Sequence, residues 1–503
     1  MILAAALNEH NVGFHLHRHN RLTEAEPFYQ RAVALDPDFT DAWLNLGLAL
    51  LSLGRADEAM VCQREALRLD PESADAQNNL GMVHYTQGHI AEAENCFRAA
   101  LRLRPNHANA TLNLGSARQI LNHVEDAEAL FRRALTLGTN PAHAKSNLAL
   151  ALMEQARPEE AELLCREALA LRPGYPEARA NLALALMKMG RLEEGWREYE
   201  SRWDVESMAS PAPVLSQPRW TGQQLNGETI VLYAEQGFGD TLQFCRYAPM
   251  VAAAGGRVVL VVPKPLRRVM ATLDGVAQVM CEEDGTLPPF DYHCPLLSLP
   301  LAFGTTMATI PAPVPYLHAD PSPWAELLAG LPGLKVGLVW AGKSRTAQPH
   351  AAATDQRRSM RLTDMAPLLS VPGCSFVSLQ LGPPASQTQT LSDGALLHDV
   401  SSRLNDWADT ASLIAGLDLV IAVDTAVAHL AGALGKPVWL LNRFDSCWRW
   451  FLHRDDTPWY PTMRVFRQTS RGDWAGVIER AGQALTALAG KGLSARGNPT
   501  LPQ

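Results

Sequence analysis

The sequence predicts two fold classes in one chain: an all-α solenoid of paired helices, then an α/β region made of two strand-helix-strand halves. Three observations predict this. Small residues recur every 34 positions from Gly13 to Ala183. A Pro-, Ser- and Gly-rich stretch at residues 207–227 closes that pattern. From Glu228 onward, short β-branched runs alternate with helical ones.

The repeat comes first. Gly13, Gly47, Gly81, Gly115, Ala149 and Ala183 stand 34 residues apart, each after an apolar residue. Twelve residues on come Ala25, Ala59, Ala93, Ala127 and Ala161, with Gly195 ending the series, and seven further on Ala32, Ala66, Ala100, Ala134 and Ala168. Pro37, Pro71, Pro105 and Pro173 close four units, and Pro141 falls two residues late. Small residues let two antiparallel helices touch, large ones such as Trp43, Phe97 and Phe131 fill the gaps, and proline stops the second helix. With six units in register over residues 5 to about 203, the pattern resembles the tetratricopeptide repeat. That resemblance implies a right-handed solenoid, residues 1–203, that holds a protein segment in its concave face.

Asn11, Asn45, Asn79, Asn113, Asn147 and Asn181 share the 34-residue period. On the first helix of each unit they would form an amide ladder along the groove, able to donate to and accept from an extended peptide backbone. A similar ladder in the O-linked N-acetylglucosamine transferases binds acceptor polypeptide. The other reading is local packing within the repeat.

The segment GRLEEGWREYESRW (190–203) reads as an amphipathic helix whose Trp196, Tyr199 and Trp203 seal the array against its neighbour. A connector follows at 204–227. The first half, 228–332, opens with strand 229–234, the loop QGFGD, a helix over 241–255, strand 257–262 and a helix over 265–273. The second half, 333–490, gives strand 335–340, a long loop, a helix near 363–370 and strand 375–380. Helix 408–417, strand 418–423, helix 425–435, strand 436–441 and a late helix near 474–489 complete it. Residues 491–503 read as a flexible tail. Two such Rossmann-like halves place a cleft beyond the carboxyl ends of their strands.

AEQGFGDTLQF (234–244) and DLVIAVDTAVAHLAGALGKPVW (418–439) resemble the two signature regions of the ADP-heptose:lipopolysaccharide heptosyltransferase-like glycosyltransferases, family 9. With the repeats, RRSMRL and PWYP (458–461), the chain is similar to bacterial tetratricopeptide proteins carrying such a C-terminal domain. The resemblance implies a GT-B fold, a nucleotide-sugar donor held by the second half, and metal-independent transfer with inversion. The first half is short for this fold, so the acceptor is not inferred from heptosyltransferases.

The chemistry of the residues agrees. In VDTAVAH (423–429) a strand ends at Asp424 and a helix begins at Thr425, aiming free amides and the positive end of a helix dipole where a diphosphate would sit. Thr425 and Ala426 would offer N–H groups, Asp424 would approach the ribose or sugar, and His429 lies one turn on. The plainer alternative makes Asp424 an N-cap and His429 a core residue. Residues 335–361 carry Lys335, Lys343, Arg345, Arg357, Arg358 and Arg361 against Asp355 alone, a local +5 suited to an anionic donor or else a solvated basic loop. Lys343 and Arg358 are the donor candidates by family analogy.

Gly337–Ser344 fits the phosphate-loop pattern G-x-x-x-x-G-K-[ST], but Leu-Val-Trp-Ala between the glycines reads as strand, which argues against an ATPase. Gly237 and Gly239 permit close backbone approach around Asp240, the candidate general base, whose alternative role is to cap the following helix. Arg449 in the aromatic stretch 447–461 would face phosphate, most of the tryptophans there packing the junction of the halves. The only D-x-D lies in a repeat turn and no histidine set has ligand spacing, so no metal or other cofactor is expected.

The 503 residues hold 44 Lys+Arg and 52 Asp+Glu, net −8. The excess lies wholly in residues 1–209, with 21 basic and 29 acidic side chains, while 210–503 balance at 23 and 23. The balance argues against nucleic acid as a partner, since phosphate neutralisation needs surplus Lys and Arg. No run reaches membrane-spanning length and no signal peptide is legible. Eight scattered cysteines without a C-x-x-C pair fit the cytoplasm. Two functions follow: a glycosyltransferase acting on an acceptor, a polypeptide docked on the repeats being one candidate, or a non-catalytic scaffold whose GT-B domain has degenerated.

Overall fold

The computed structural model describes residues 2–205, 208, 215–346, 348–390 and 397–490, so the tail read at 491–503 lies outside the described residues. The chain forms two compact units. One comprises Met1–Gln155, Leu163–Gly174 and Thr346–Ala353, the other Ala156–Glu162, Tyr175–Arg345 and Thr354–Gln503.

The repeats fold as helix pairs. These are α1 (Ile2–Arg18) with α2 (Leu22–Leu35), α3 (Thr40–Ser52) with α4 (Ala56–Leu69), and α5 (Ala74–Thr86) with α6 (Ile90–Leu103). Then come α7 (Ala108–Ile120) with α8 (Val124–Thr136), α9 (Pro141–Glu154) with α10 (Pro158–Leu171), and α11 (Pro176–Lys188) with α12 (Leu192–Tyr199). The periodic alanines from Ala25 to Ala168 are fully buried. Gly81 shows why the first small position cannot grow, since an added Cβ would stand 2.6 Å from the Phe97 ring. Phe97 and Phe131 are fully buried, whereas Trp43 is half-buried and donates from Nε1 to the Pro37 carbonyl at 2.8 Å. Each turn between the paired helices has one left-handed residue, again at the 34-residue period: Asn20, Gly54, Gly88, Asn122, Ala156 and Gly190.

The second unit holds two parallel sheets. The first contains β1 (Thr229–Tyr233), β2 (Arg257–Val261), β3 (Val276–Met280) and β4 (Tyr292–Pro295) in the order β3-β2-β1-β4. The second contains β5 (Leu334–Val339), β6 (Cys374–Ser378), β7 (Leu397–Asp399), β8 (Leu419–Val423), β9 (Val438–Asn442) and β10 (Met463–Arg467) in the order β10-β9-β8-β5-β6-β7. Central strands of such sheets are covered on both faces and read as continuous apolar runs. In the second sheet, Val339, Val377, Val420 and Leu440 join one core cluster and Leu338, Phe376, Ile421 and Leu441 the other.

Several elements differ from expectation. The helix expected over 241–255 breaks into α13 (Phe238–Phe244), a 3-10 turn (Cys245–Tyr247) and a short helix (Ala248–Ala253). Pro249 lacks the N–H that would continue the first segment and disfavours helical backbone before it. The long loop after β5 contains α14 (Pro349–Arg358), with proline at its first position. The strand through Gly337–Val339, and the absence of a helix directly after Lys343-Ser344, rule out the phosphate-loop geometry. The end of the connector is packed: Arg219 forms an isolated backbone β-bridge with His293 of β4, and Trp220 is 1% exposed. Beyond these lie α15 (Trp407–Ala415), α16 (Ala426–Ala433) and α17 (Trp474–Gly490).

Trp196 of α12 meets Phe244, Trp448 and Trp459 edge-on at 5.3–6.4 Å between ring centroids. Its Nε1 donates to the Thr305 carbonyl at 3.1 Å. The last helix pair therefore shares one core with the two sheets. Among the described residues no helix is long and apolar enough to cross a membrane.

Candidate functional site

Strand order locates the site. In the second sheet the chain runs outward from β5 through β6 to β7, then returns to β8 and runs the other way to β10. The reversal between β5 and β8 opens a crevice at their carboxyl ends, where parallel α/β sheets bind ligands. The loop after β5 is pinned there by Gln380, whose Oε1 accepts from the Trp340 and Ala341 amides at 3.1 and 2.9 Å. The loop after β8 brings Asp424 and Thr425 to the start of α16.

Arg358 joins the two loops. Its Nη1 donates to the Asp424 carbonyl at 3.1 Å and its Nη2 lies 2.7 Å from Asp355. Two buried polar atoms at this point have no partner, Arg358 Nε and Thr425 Oγ1. Neither atom is engaged by the protein, which leaves both open to a ligand or to water. Thr425 occupies the N-cap position of α16 without a side-chain bond to the helix, so Asp424 is not the cap. Ala426, the first residue of the helix, is half-buried. Lys343 is exposed on the loop after β5.

The local +5 is partly neutralised, since Asp364 and Asp445 from outside the stretch pair with two of its arginines. Asp355, 2% exposed, takes a two-pronged contact from Arg345 at 2.9 Å as well as Arg358. Arg361 pairs with Asp364, and Arg357 lies 3.5 Å from Asp445.

His429 does not line open space. It is 4% exposed, shares a hydrogen bond of 2.9 Å between Nδ1 and the Tyr460 hydroxyl, and stacks obliquely on Trp450 at 5.1 Å. Burial drives its pKa well below 6.5, with Arg449, Arg246 and Arg358 adding repulsion. Gly239 explains the fit: a Cβ there would stand 3.0 Å from the His429 ring and 3.5 Å from the Ala426 Cα. The missing side chain of Gly239 thus serves contact between α13 and α16.

Asp240 is the third residue of α13, not the cap expected before Thr241, and its Oδ2 reaches back to accept from the Gly237 N–H at 2.9 Å. Its Oδ1 binds the Arg449 guanidinium. Arg449, expected to face phosphate, holds this carboxylate in the structure. Trp448, Trp450 and Trp459 are buried at the junction of the halves.

The corresponding crevice of the first sheet, between β1 and β4, is filled. Arg202, in the turn after α12, grips Glu235 at the end of β1 through Nε and Nη2, both at 2.8 Å, and Nη2 also reaches Ser298 at 2.7 Å. This network carried no sequence signal. A separate cavity of about 480 Å³, lined by Arg268, Trp324, Arg403 and Asp409 among others, contains none of the predicted site residues.

The asparagines of the repeats lie along the first helices, Asn11 exposed and the other five half-buried. Bonds to the preceding repeat run from Asn45 to His10 at 2.9 Å, from Asn113 to Asn78 at 2.9 Å, and from Asn147 to Ser116 at 3.3 Å.

The glycosyltransferase family 9 (heptosyltransferase) model matches residues 403–441, the span from before α15 through most of β9. Tetratricopeptide models match residues 38–106, 78–144 and 152–195. The chain carries tetratricopeptide repeats and a glycosyltransferase family 9 segment. That family 9 segment includes Asp424, Thr425, Ala426 and His429, while Asp240, Lys343, Arg358 and Arg449 lie outside it. Protein FlbA of Caulobacter vibrioides is 29% identical over 321 residues, which is 59% of this chain and 52% of FlbA. The chain thus spans about half the length of that curated relative. Among solved structures, a tetratricopeptide protein of Thermus thermophilus is 23% identical with a TM-score of 0.34, covering 36% of this chain and 100% of its own. Pseudomonas aeruginosa PilF is 19% identical with a TM-score of 0.34, covering 42% and 94%.

Proposed function

We propose that the protein transfers a sugar from a nucleotide-diphosphate donor to an acceptor hydroxyl, without a metal and with inversion, in the cytoplasm. The observation that carries this reading is the pair of open buried donors, Arg358 Nε and Thr425 Oγ1, at the β5/β8 crevice and the start of α16. Helix N-termini and arginines suit phosphate oxygens. On this reading Arg358, Thr425 and the Ala426 amide hold the diphosphate, and exposed Lys343 closes over it. Asp240 takes the acceptor's proton. The acceptor oxygen attacks the anomeric carbon from the face opposite the diphosphate, and the bond from that carbon to the departing phosphate oxygen breaks. Arg358 and the helix dipole stabilise the charge on the leaving group.

The crevice of the first sheet is taken by Arg202. That favours an acceptor brought by the repeats, a polypeptide held on the asparagine face. Changing Asn79, Asn113 and Asn147 together to Ala should weaken such a partner.

A second reading is a scaffold without catalysis. It is favoured by Asp240, whose two oxygens are already engaged. Calorimetric titration with ADP-, UDP-, GDP- and CMP-sugars separates the two. The enzyme reading expects one class to bind, and to bind at least about tenfold more weakly in Arg358→Met. Absence of binding by all four would leave the scaffold.

A further inference from the structure

Asp240 has to collect a proton in the proposed reaction, yet each of its oxygens already accepts a hydrogen bond. The Gly237 amide is part of the α13 turn and stays. The Arg449 guanidinium comes from a segment 209 residues away. It is held side-on by a bond from Nε to Gln243 Oε1 at 2.5 Å and rests 4.3 Å from the Trp448 ring. Burial works against its charge, but Asp240, Cys447 and Tyr199 together outweigh it and Arg449 stays protonated. Asp240 keeps 20% of its side-chain surface exposed, so the pair lies at an edge, not in the core.

That edge borders the diphosphate site. Gly239, next to Asp240, rests on Ala426, the first residue of α16. Arg358 is anchored to the carbonyl of Asp424 two residues before it, and Arg358 and Arg449 both act electrostatically on His429 one turn along the same helix. Gln243, fully buried, has its Nε2 without a partner in the amide that already holds Arg449. A guanidinium suits carboxylate and phosphate equally in shape, and a diphosphate carries more charge than one carboxylate.

We propose that Arg449 is a donor-sensing positioning residue, which neutralises Asp240 while the site is empty and passes its contact to the donor's diphosphate when that binds. Asp240 is then released to accept the acceptor's proton. When the diphosphate departs, Arg449 returns to the carboxylate and the base is silenced. Binding is therefore ordered, donor before acceptor. The inference rests on the reading of this crevice as a diphosphate site.

The test is a double-mutant cycle read by calorimetry, titrating ADP, UDP and GDP, with adenosine, uridine and guanosine as controls, into wild type, D240N, R449M and D240N/R449M. The expected result for the preferred diphosphate is about five- to tenfold tighter binding in D240N, because Arg449 no longer has to leave a carboxylate. R449M should bind roughly tenfold more weakly, with D240N/R449M matching it and nucleoside affinities unchanged. Unchanged affinity in D240N overturns the proposal. So does an equal gain from D240N in the R449M background, which would mean that only a repelling charge had been removed. If R449M does not fold, R449K replaces it in the same comparison. Failure of wild type to bind any diphosphate would instead overturn the reading of the site, and this proposal with it.

Discussion

Arg202 and Glu235 form a two-pronged ion pair with side chains only 1% and 3% exposed, tying the turn after the last repeat to the carboxyl end of β1. Burial raises the Glu235 pKa above its usual range despite the arginine. Arg202 also moves up, since Glu235 and Glu200 outweigh its burial. The fork geometry decides between these opposed tendencies in favour of a charged pair. Glu200 and Ser298 complete the network, with Ser298 donating to Glu200 at 2.8 Å. Removing one partner strands a buried charge, so R202M should cost about 3–5 kcal/mol. R202M/E235M should recover much of that loss, because two apolar side chains can replace a buried pair. Urea denaturation followed by tryptophan fluorescence measures both.

His429 gives the fold an acid limit. Its pKa is pushed well below 6.5 by burial, so the unfolded chain takes up a proton below pH 6.5 that the folded protein refuses. Stability is complete above that pH and falls by about 1.4 kcal/mol per unit as the pH drops from 6.5 toward the folded-state value. His429→Phe should lose roughly 1 kcal/mol at pH 8 with the Tyr460 bond and flatten the decline below pH 6.5. Denaturation midpoints measured from pH 8 to pH 5 would show it.

Ala156 has φ +58°, at the turn position where other repeats use Gly or Asn. A Cβ in left-handed backbone costs roughly 1–2 kcal/mol, partly offset by glycine's larger entropy loss. Ala156→Gly should therefore raise stability by about 0.5–1 kcal/mol, and Gly190→Ala should lower it. A thermal melt of the two variants tests the pair, and a lower midpoint for Ala156→Gly would exclude strain at this turn.

Gly81 and Phe97 are the tightest point of the third helix pair. A methyl group at Gly81 would sit 2.6 Å from the ring, so Gly81→Ala should destabilise the array by about 1–3 kcal/mol despite alanine's better helix propensity. Gly81→Ala/Phe97→Leu should regain part of the loss, as circular dichroism melts would register.

Legibility in the sequence follows the physics of each element. The strands read correctly, β1, β2, β5, β6, β8 and β9, are interior to their sheets and show apolar runs. The four missed, β3, β4, β7 and β10, are all edge strands. Their segments, such as VAQVM and LHD, mix polar residues in because one side meets no neighbouring strand. The junction at Asp424 was legible because a strand ending into a helix is a local pattern. The basic loop was counted correctly, but the pairing of two of its arginines with acids elsewhere was not visible. Asp355 sits within the loop, whereas Asp364 and Asp445 lie beyond the stretch that was counted.

By itself the sequence determined the 34-residue repeat, the change to an α/β region, and the loop-to-helix start at Thr425. All of these are periodicities or junctions within a few tens of residues, where backbone geometry alone dictates which side chains share a face. The tertiary structure alone decided that Arg449 holds Asp240, that Arg202 fills the crevice between β1 and β4, and that His429 is packed away. It also decided that Arg358 Nε and Thr425 Oγ1 are left open. Pairing and burial depend on segments brought together across 31 to 209 residues of chain, and no local pattern encodes which charges will meet there.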